Sequence, residues 1–370
     1  MKFSVASIAL LSAASVAAQQ QESLCLPDCS SGKCIFELAV ELTAGQTGYF
    51  TVKGCDGTNP TLGVEMGVSH TFIQQDYTNW YHALGLAYAA DGALLDNPEL
   101  EPCIAPPGSG SECEETCSCP APMYFKNGIS LGEFSNDESI APLTEDADNF
   151  GLDDYEPLFF YPFGQWLEEG LFSVNLKFTE DYKEDIFYFC HIHQGMTGRI
   201  KLLEDGVPVS ATDVPEIPYE YDMPTGFDAL CGNFGVAGNR LPDDQCPSTF
   251  VCLADGADPS LGLFADCINA QDCSMFKGMT SGVSATGGET ALFLHQMIPH
   301  HENAVNMAKT LMSLGDLDCE EYDEEDPDCI MYEIALSIID VQNFQIQTMR
   351  GLLDAFGYPA TDDCVVNAEA

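Results

Sequence analysis

Residues 187–200, FYFCHIHQGMTGRI, place a cysteine, two histidines and a methionine within seven positions. Cys190, His193 and Met196 follow one another at intervals of three residues, in the order C-x-x-H-x-x-M. A thiolate and imidazoles in a near-trigonal plane, with a thioether as a weak axial donor, form a coordination set that suits copper. The pattern therefore predicts a copper site on one loop, and it requires a second histidine from elsewhere in the chain.

Two upstream histidines, His70 and His82, are the candidates for the missing ligand. His82 follows an aromatic pair in the segment TNWYH, a turn-like context that favours it over His70. His191 is adjacent to Cys190, so in an extended chain its side chain points to the opposite side. The aromatic residues at 187–189 are expected to bury the thiolate and to keep water away from the metal.

A second group of possible metal ligands lies in the segment HQMIPHHENAVNM. Residues four or seven apart share one face of a helix, and such a stripe of thioether and imidazole groups can hold Cu(I) or Cu(II). A methionine stripe at helical spacing is also typical of ordinary core packing, and zinc remains an alternative to copper here. The candidate ligands of this site are His295, Met297, His300, His301, Met307 and, on the next predicted helix, Met349.

The segments around these two sites differ in their periodicity. Short β-rich runs with turn residues between them extend from 34 to about 203, which predicts a β-sandwich or barrel whose last two strands are joined by the ligand loop. Helical spacing begins after 288, and two long helices with a short connection should be antiparallel. The chain divides into a signal peptide at 1–18, a β domain at 19–205 with an irregular cysteine-rich insert at about 97–157, a linker at 206–274, a helical domain at 275–358 and a tail at 359–370.

Composition indicates the compartment and excludes some partners. The first eighteen residues read as a cleaved secretory signal, and no later segment is apolar over a length that spans a bilayer. Twelve basic against 59 acidic residues give a net charge of −47, which repels nucleic acid. The sequence predicts a secreted protein with no membrane span and no nucleic-acid partner.

The chain has seventeen cysteines, an odd number, so at least one cannot form an intramolecular disulfide. If Cys190 is a metal thiolate, the other sixteen can form eight bridges. A buried free thiol or an intermolecular disulfide is the alternative. Disulfide staples are predicted in the insert (Cys103, Cys113, Cys117, Cys119), in the linker (Cys231, Cys246, Cys252, Cys267) and between Cys319 and Cys329.

Residues 34 to 205 resemble the cupredoxin family, in which an upstream histidine is followed by a clustered motif such as CHIHQGM before a final strand. The resemblance implies a Greek-key sandwich with His82, Cys190 and His193 as equatorial copper ligands and Met196 as the axial ligand. The cysteine-rich insert is unusual for small electron carriers of this family. Apart from His191-Ile192-His193 within this motif, there are no HxH pairs of the kind that multicopper oxidases use, which argues against oxygen reduction at a trinuclear centre.

Residues 275 to 358 resemble the domain of unknown function 305, a ferritin-like helical family represented among bacterial periplasmic copper-resistance proteins. MIPHHENAVNM matches its signature M-I-x-H-H-x-x-A-x-x-M. The second helix keeps Gln342 and Met349 but has Gln345 where the family has an acidic residue, which removes a hard ligand.

The expected protein is thus a disulfide-rich, multidomain β + α chain that binds copper for electron transfer at one site and for sequestration at another. A secreted copper-dependent oxidoreductase, with the β domain as electron relay, is the alternative function. A structural protein whose metal loops have decayed is a third. The sequence identifies no redox partner.

Overall fold

The structure is a computed structural model that describes residues 24–116, 118–135, 149–179, 182–280, 287–315, 317–319 and 322–358. The predicted signal peptide and tail lie outside these residues. The strands are β1 Cys34–Glu41, β2 Tyr49–Val52, β3 Leu62–Glu65, β4 His70–Gln74, β5 Leu84–Ala87, β6 Met123–Lys126, β7 Ile129–Ser130, β8 Phe172–Leu176, β9 Ile186–Cys190, β10 Gly198–Glu204 and β11 Val207–Pro208. The helices are α1 Cys113–Thr116, α2 Leu152–Tyr155, α3 Phe163–Glu169, α4 Phe227–Cys231, α5 Ser260–Thr280, α6 Gly288–Leu314 and α7 Pro327–Ala355.

The strands form two sheets. One sheet has the order β2-β1-β4-β8-β6-β7, and the other has the order β11-β10-β9-β5 with β3 paired to β10. The pairs β1–β4 and β3–β10 are parallel, and the remaining pairs are antiparallel. Phe36 and Phe72 of the first sheet share one hydrophobic core with Leu62, Tyr188 and Ile200 of the second. The prediction of a β part followed by helices is therefore confirmed, and residues 191–197 do join the neighbouring strands β9 and β10.

The insert at 97–157 is more regular than the sequence analysis predicted. Strand β6 pairs with β8 over four residues, and the tight turn after it connects to β7. Asn127 and Gly128 occupy the turn with φ of 52° and 75°, a left-handed conformation that an Asn-Gly pair adopts readily. The prediction of an irregular segment was wrong here, because the short run MYFK before an Asn-Gly turn is a hairpin signal.

Helix α5 is the second difference, since it begins within the segment predicted as a linker. Its first turn is capped by Asp258, whose Oδ1 accepts hydrogen bonds from the backbone N and the Oγ of Ser260 at 2.9 and 2.8 Å. Two disulfides link the helix to the chain that precedes it. In each bridge one cysteine lies on the helix, although the sequence of this segment resembles a disulfide-bridged loop. These bridges are Cys231–Cys267 and Cys246–Cys273.

Most of the other cysteines that were predicted to form disulfides do form them. Bridges join Cys25 to Cys55, Cys29 to Cys34, Cys113 to Cys119 and Cys319 to Cys329, and Cys103 is also disulfide-bonded. Cys252 is the exception: it is exposed and forms no disulfide, because Cys246 pairs with Cys273 on α5. Within the described part of the chain, Cys190 and Cys252 are the two free thiols, and Cys190 is the buried one.

Helices α6 and α7 form an antiparallel hairpin that packs against the β part. Helix α6 ends at Leu314, and Gly315 follows as its C-cap. Ala308 of α6 and Leu336 of α7 belong to the same hydrophobic core as the two sheets. The fully buried ammonium of Lys309 donates hydrogen bonds to the carbonyl oxygens of Gly45 and Gln46, at 3.0 and 2.8 Å. The hairpin is thereby attached to the β1–β2 loop. Among the helices described, none combines the length and the apolar character that crossing a bilayer requires.

Candidate metal centre

The register of β5 against β9 brings the first two site residues together. Leu84 of β5 lies opposite Cys190 at the end of β9, and His82 precedes Leu84 by two residues. The backbone at His82 is held by Gln74, whose side-chain amide donates to the His82 carbonyl oxygen at 2.6 Å and accepts from the Leu84 backbone N at 3.0 Å. Because strand pairing fixes both ends, an imidazole and a thiol separated by more than a hundred residues meet in one place.

Three ligand-type atoms form a compact triangle. The Cys190 Sγ lies 3.6 Å from His82 Nδ1 and 3.8 Å from His193 Nδ1, and the two Nδ1 atoms are 3.3 Å apart. The backbone N of His193 donates to the Cys190 Sγ at 3.2 Å, which turns the loop back onto the sulfur. All three side chains are fully buried. These two histidines and one cysteine form a group that could hold a metal ion.

The size of this triangle fits a bound metal ion. With metal–nitrogen bonds of about 2.0 Å and a metal–sulfur bond of about 2.3 Å, a trigonal set separates the nitrogens by about 3.5 Å and nitrogen from sulfur by about 3.7 Å. The three distances in the structure lie close to these values. Small side-chain shifts would therefore be enough to admit an ion, and no rearrangement of the backbone is required.

Met196, on the same loop, is also fully buried. The residues on either side of it are anchored by the buried carboxylate of Asp91. Its Oδ1 accepts hydrogen bonds from the Gly195 backbone N at 3.1 Å, from the Thr197 hydroxyl at 2.7 Å and from the Tyr219 hydroxyl at 3.0 Å. The Asp91 backbone N donates in turn to the Thr197 Oγ1 at 2.8 Å. Asp91 thus fixes the segment that carries the thioether.

Burial sets the protonation of the three ligand residues. It lowers the pKa of His82 to about 3 and the pKa of His193 to about 4, so both imidazoles are neutral near pH 7. It also raises the pKa of the Cys190 thiol to about 12. Neutral imidazoles have a free lone pair for a metal, whereas the thiol releases its proton when a cation takes its place. Cation binding at this site is therefore coupled to proton release from Cys190.

Helix α7 closes the outer side of the site. The His193 Nε2 lies 2.9 Å from the backbone oxygen of Asp340, and the His82 Nε2 lies 3.4 Å from the Oδ1 of the same residue. Two turns further along, Gln347 and Gln194 exchange two hydrogen bonds of 2.9 Å between side-chain amide and loop backbone. The helical hairpin is thus a wall of the site.

His191 lies outside the triangle. Its Nε2 is 3.2 Å from Glu99 Oε1, and its Nδ1 is 3.2 Å from Glu156 Oε2. Burial opposes a charge on this ring, but the two carboxylates outweigh it and raise the pKa of His191 to about 10. His191 is therefore a partly buried cation that neutralises two acidic side chains beside the ligand loop.

Of the two upstream candidates, His82 and not His70 lies beside Cys190. His70 begins β4 in the other sheet, where its ring stacks on Phe36 with centroids 6.2 Å apart. Its Nδ1 lies 3.0 Å from the Val68 carbonyl oxygen, and burial lowers the pKa of the ring. The expectation that His70 could belong to the site was wrong, because β4 and β5 lie in different sheets.

The residues predicted for a helical metal site are not gathered into one cluster. His301 is occupied on both ring nitrogens, with Nδ1 3.0 Å from the Met297 carbonyl oxygen and Nε2 3.0 Å from Gln345 Oε1. Met297 and Met349 belong to an apolar cluster at one end of the hairpin. The other candidates differ in exposure: His295 is half-buried, whereas His300 and Met307 are exposed. Met307 lines a separate apolar cavity of about 470 Å³ between the helices.

The roles of Asp340, Gln347 and Asp91 at the site were not predicted from the sequence. Asp340 could have been identified from the sequence, because this acidic residue ends the apolar run ALSIID on the buried face of α7. An ionisable residue at a core position of a helix usually has a specific partner. Asp91 has no comparable signal, because its partners lie more than a hundred residues away.

Comparison of the chain with protein-family models, with curated proteins and with solved structures finds no match in any of the three. The functional proposal for this chain therefore depends on the geometry of His82, Cys190, His193 and Met196.

Proposed function

We propose that this chain is a secreted copper-binding protein whose buried site is a blue-copper, electron-transfer centre. The proposed ligands are His82, Cys190 and His193, with Met196 as the weak axial donor. One observation carries the proposal: the free, fully buried thiol of Cys190 has two imidazole Nδ1 atoms within 3.8 Å. The terminal signal-like sequence and the disulfides support the extracellular location.

The types of donor favour copper over other metals. A thiolate, two neutral imidazoles and a thioether are soft and borderline donors, whereas magnesium, calcium and manganese prefer oxygen. Structural zinc is usually bound by four tetrahedral ligands of cysteine, histidine or carboxylate type. A His₂Cys triangle next to a methionine is instead the arrangement that is typical of blue copper.

Burial favours electron transfer over an oxidoreductase that binds its substrate at this site. Copper held by these residues would supply a one-electron redox couple. The protein's own part is to hold the ligands at fixed distances and to exclude water, since all four proposed ligands are fully buried and α7 covers the histidines. The oxidoreductase alternative predicts oxygen consumption with small reductants, whereas an electron-transfer protein should show none without a partner.

The acidic surface supports a particular class of redox partner. The net charge of −47 gives long-range attraction for a positively charged surface and repels an acidic one. A cationic protein is therefore the proposed partner class.

Copper sequestration by the helical hairpin remains a separate prediction. The adjacent rings of His300 and His301 have centroids 6.0 Å apart, and the exposed position of His300 leaves it accessible to an ion. Binding through His301 would require its contact with Gln345 to break.

The proposal is tested by adding Cu(II) to the metal-free, disulfide-intact protein and recording visible and electron paramagnetic resonance spectra. The expected result is an intense thiolate-to-copper charge-transfer band, because an equatorial thiolate mixes strongly with Cu(II). Cys190→Ser should abolish the band. Cys252→Ser is the matched control, as it removes the exposed free thiol of the described residues and should leave the band unchanged.

A colourless copper form of the wild type would contradict the proposal, and so would a band that persists in Cys190→Ser. Selective uptake of one zinc ion at Cys190, with no copper spectrum, would establish a zinc site instead. Copper titration of Cys190→Ser also reports on the hairpin, where a remaining bound equivalent would support the second site.

A further inference from the structure

Two buried polar groups at the edge of the site face each other without a completed hydrogen bond. The His82 Nε2 and the Asp340 Oδ1 are 3.4 Å apart, and both side chains are fully buried. Neither atom, nor the Asp340 Oδ2, forms a hydrogen bond to any described residue. A buried polar atom without a hydrogen-bond partner destabilises the folded protein. If the His82 Nε2 and the Asp340 Oδ1 moved closer by less than half an ångström, they would form a hydrogen bond that satisfies both atoms.

The position of the ring proton of His82 decides whether this residue can bind a metal in the triangle. A neutral imidazole carries its proton on one nitrogen and has a lone pair on the other. The His82 Nδ1 faces Cys190 Sγ at 3.6 Å, so the proton must be on Nε2 for the lone pair to point into the site. A hydrogen-bond acceptor at the far nitrogen fixes this choice.

We propose that Asp340 of α7 is the positioning residue of His82, holding its proton on Nε2 and its Nδ1 toward the metal. This inference rests on the proposed metal-binding function of the site and adds a role for the helical hairpin in it. The group that orients this ligand thus comes from the helical part of the chain.

Two contacts just after Asp340 in the chain hold α7 in the required position. Asn343, about one turn on, donates from its side-chain amide to the Gln46 carbonyl oxygen at 3.0 Å. Gln347, two turns on, exchanges two hydrogen bonds with the backbone of Gln194 in the ligand loop. These contacts fix the helix relative to both the β1–β2 loop and the ligand loop. The Asp340 side chain is therefore presented to His82 from a rigid element, as a positioning group must be.

His193 provides an internal control. Its Nε2 lies 2.9 Å from the backbone oxygen of the same residue, Asp340. A substitution of the side chain at 340 removes the acceptor for His82 but keeps the acceptor for His193. The two histidines should therefore respond differently to one substitution, which a general disturbance of the site would not produce.

The test combines nitrogen NMR of the histidine rings in metal-free protein with Co(II) titration. In the wild type, both His82 and His193 should be neutral with the proton on Nε2. Asp340→Leu should shift His82 toward the Nδ1–H form, leave His193 unchanged and weaken Co(II) binding by about 10-fold to 100-fold. Asp340→Asn keeps an acceptor oxygen and should retain both the tautomer and the affinity.

Asp340→Ala is made in parallel, because it removes the acceptor without adding volume, and it should behave like Asp340→Leu. Asp354→Leu changes an exposed acid on the same helix and should leave every readout unchanged. A His82 that holds its proton on Nδ1 in the wild type would overturn the inference. Unchanged His82 tautomer and Co(II) affinity in both Asp340→Leu and Asp340→Ala would also overturn it. The proposed function is judged separately by the Cys190 charge-transfer band, which can be present whichever way the His82 measurement falls.

Discussion

Asp91 offers the sharpest test of how the ligand loop is held. Its carboxylate accepts hydrogen bonds from Gly195, Thr197 and Tyr219, and Asp91→Ala removes all three. Asp91 also has a φ of 56°, and alanine in this left-handed region costs roughly 1 kcal/mol. Each lost hydrogen bond to the buried carboxylate is worth about 1 to 2 kcal/mol once water replaces part of it. The free energy of unfolding should therefore fall by about 4 to 7 kcal/mol in total.

The chain contains a matched control for the cost of placing alanine in the left-handed backbone conformation. Asp96 also has a φ of 56° but is exposed, so Asp96→Ala should lose roughly 1 kcal/mol. Asp91→Asn, which tolerates the left-handed conformation and keeps one acceptor oxygen, should lose about 1 to 2 kcal/mol. Guanidinium chloride unfolding of the metal-free, disulfide-intact proteins measures all three. Equal losses in Asp91→Ala and Asp96→Ala would refute the reasoning, because the network would then contribute nothing beyond the backbone.

Two further perturbations probe the axial position and the attachment of the hairpin. Met196→Gln replaces a soft thioether with a harder oxygen donor, so in a spectroscopic redox titration the reduction potential should fall while copper stays bound; loss of all copper would mean that Met196 has a different role. Lys309→Met removes the hydrogen bonds to Gly45 and Gln46 and should lower the free energy of unfolding by about 2 to 3 kcal/mol. Burial lowers the pKa of Lys309 in the folded protein from its ordinary value of 10.5 to about 7. Between these two pH values, the unfolded chain therefore binds more protons than the folded chain. The contribution of Lys309 to stability should rise with pH in that window, and denaturation at pH 7 and pH 9 should show that Lys309→Met lacks this rise; an equal pH dependence in both proteins would contradict the assignment.

The strands around the ligand loop could be predicted because their signals are local. Alternating and β-rich runs identified β1, β2, β3, β8, β9 and β10, and the spacing C-x-x-H-x-x-M placed three candidate ligands between the last two of these. The preference for His82 over His70 also came from local context, and only His82 lies beside Cys190. Local patterns were sufficient wherever strand pairing alone decides which residues meet.

Features that depend on distant partners could not be predicted. Helix α5 was missed because its glycines and cysteines look like a stapled loop, although Asp258 caps it and two disulfides fasten it. The role of the hairpin was missed because the sequence suggested two independent modules. Asp340 and Gln347 contact the ligand loop across about 150 residues of chain, and no periodicity reports such a contact.

The wall that α7 builds over the histidines has a consequence for the kinetics of metal loading. All four proposed ligands precede residue 197, whereas the covering contacts come from the last helix of the described chain. Because a chain is made from its N-terminus, the ligands are synthesised before their cover. If these residues bind the proposed ion, its capture should therefore be fastest before the hairpin docks. Afterwards, exchange requires the hairpin to detach locally, so the rate of release should follow the opening equilibrium of α7 and not the strength of the metal–ligand bonds alone.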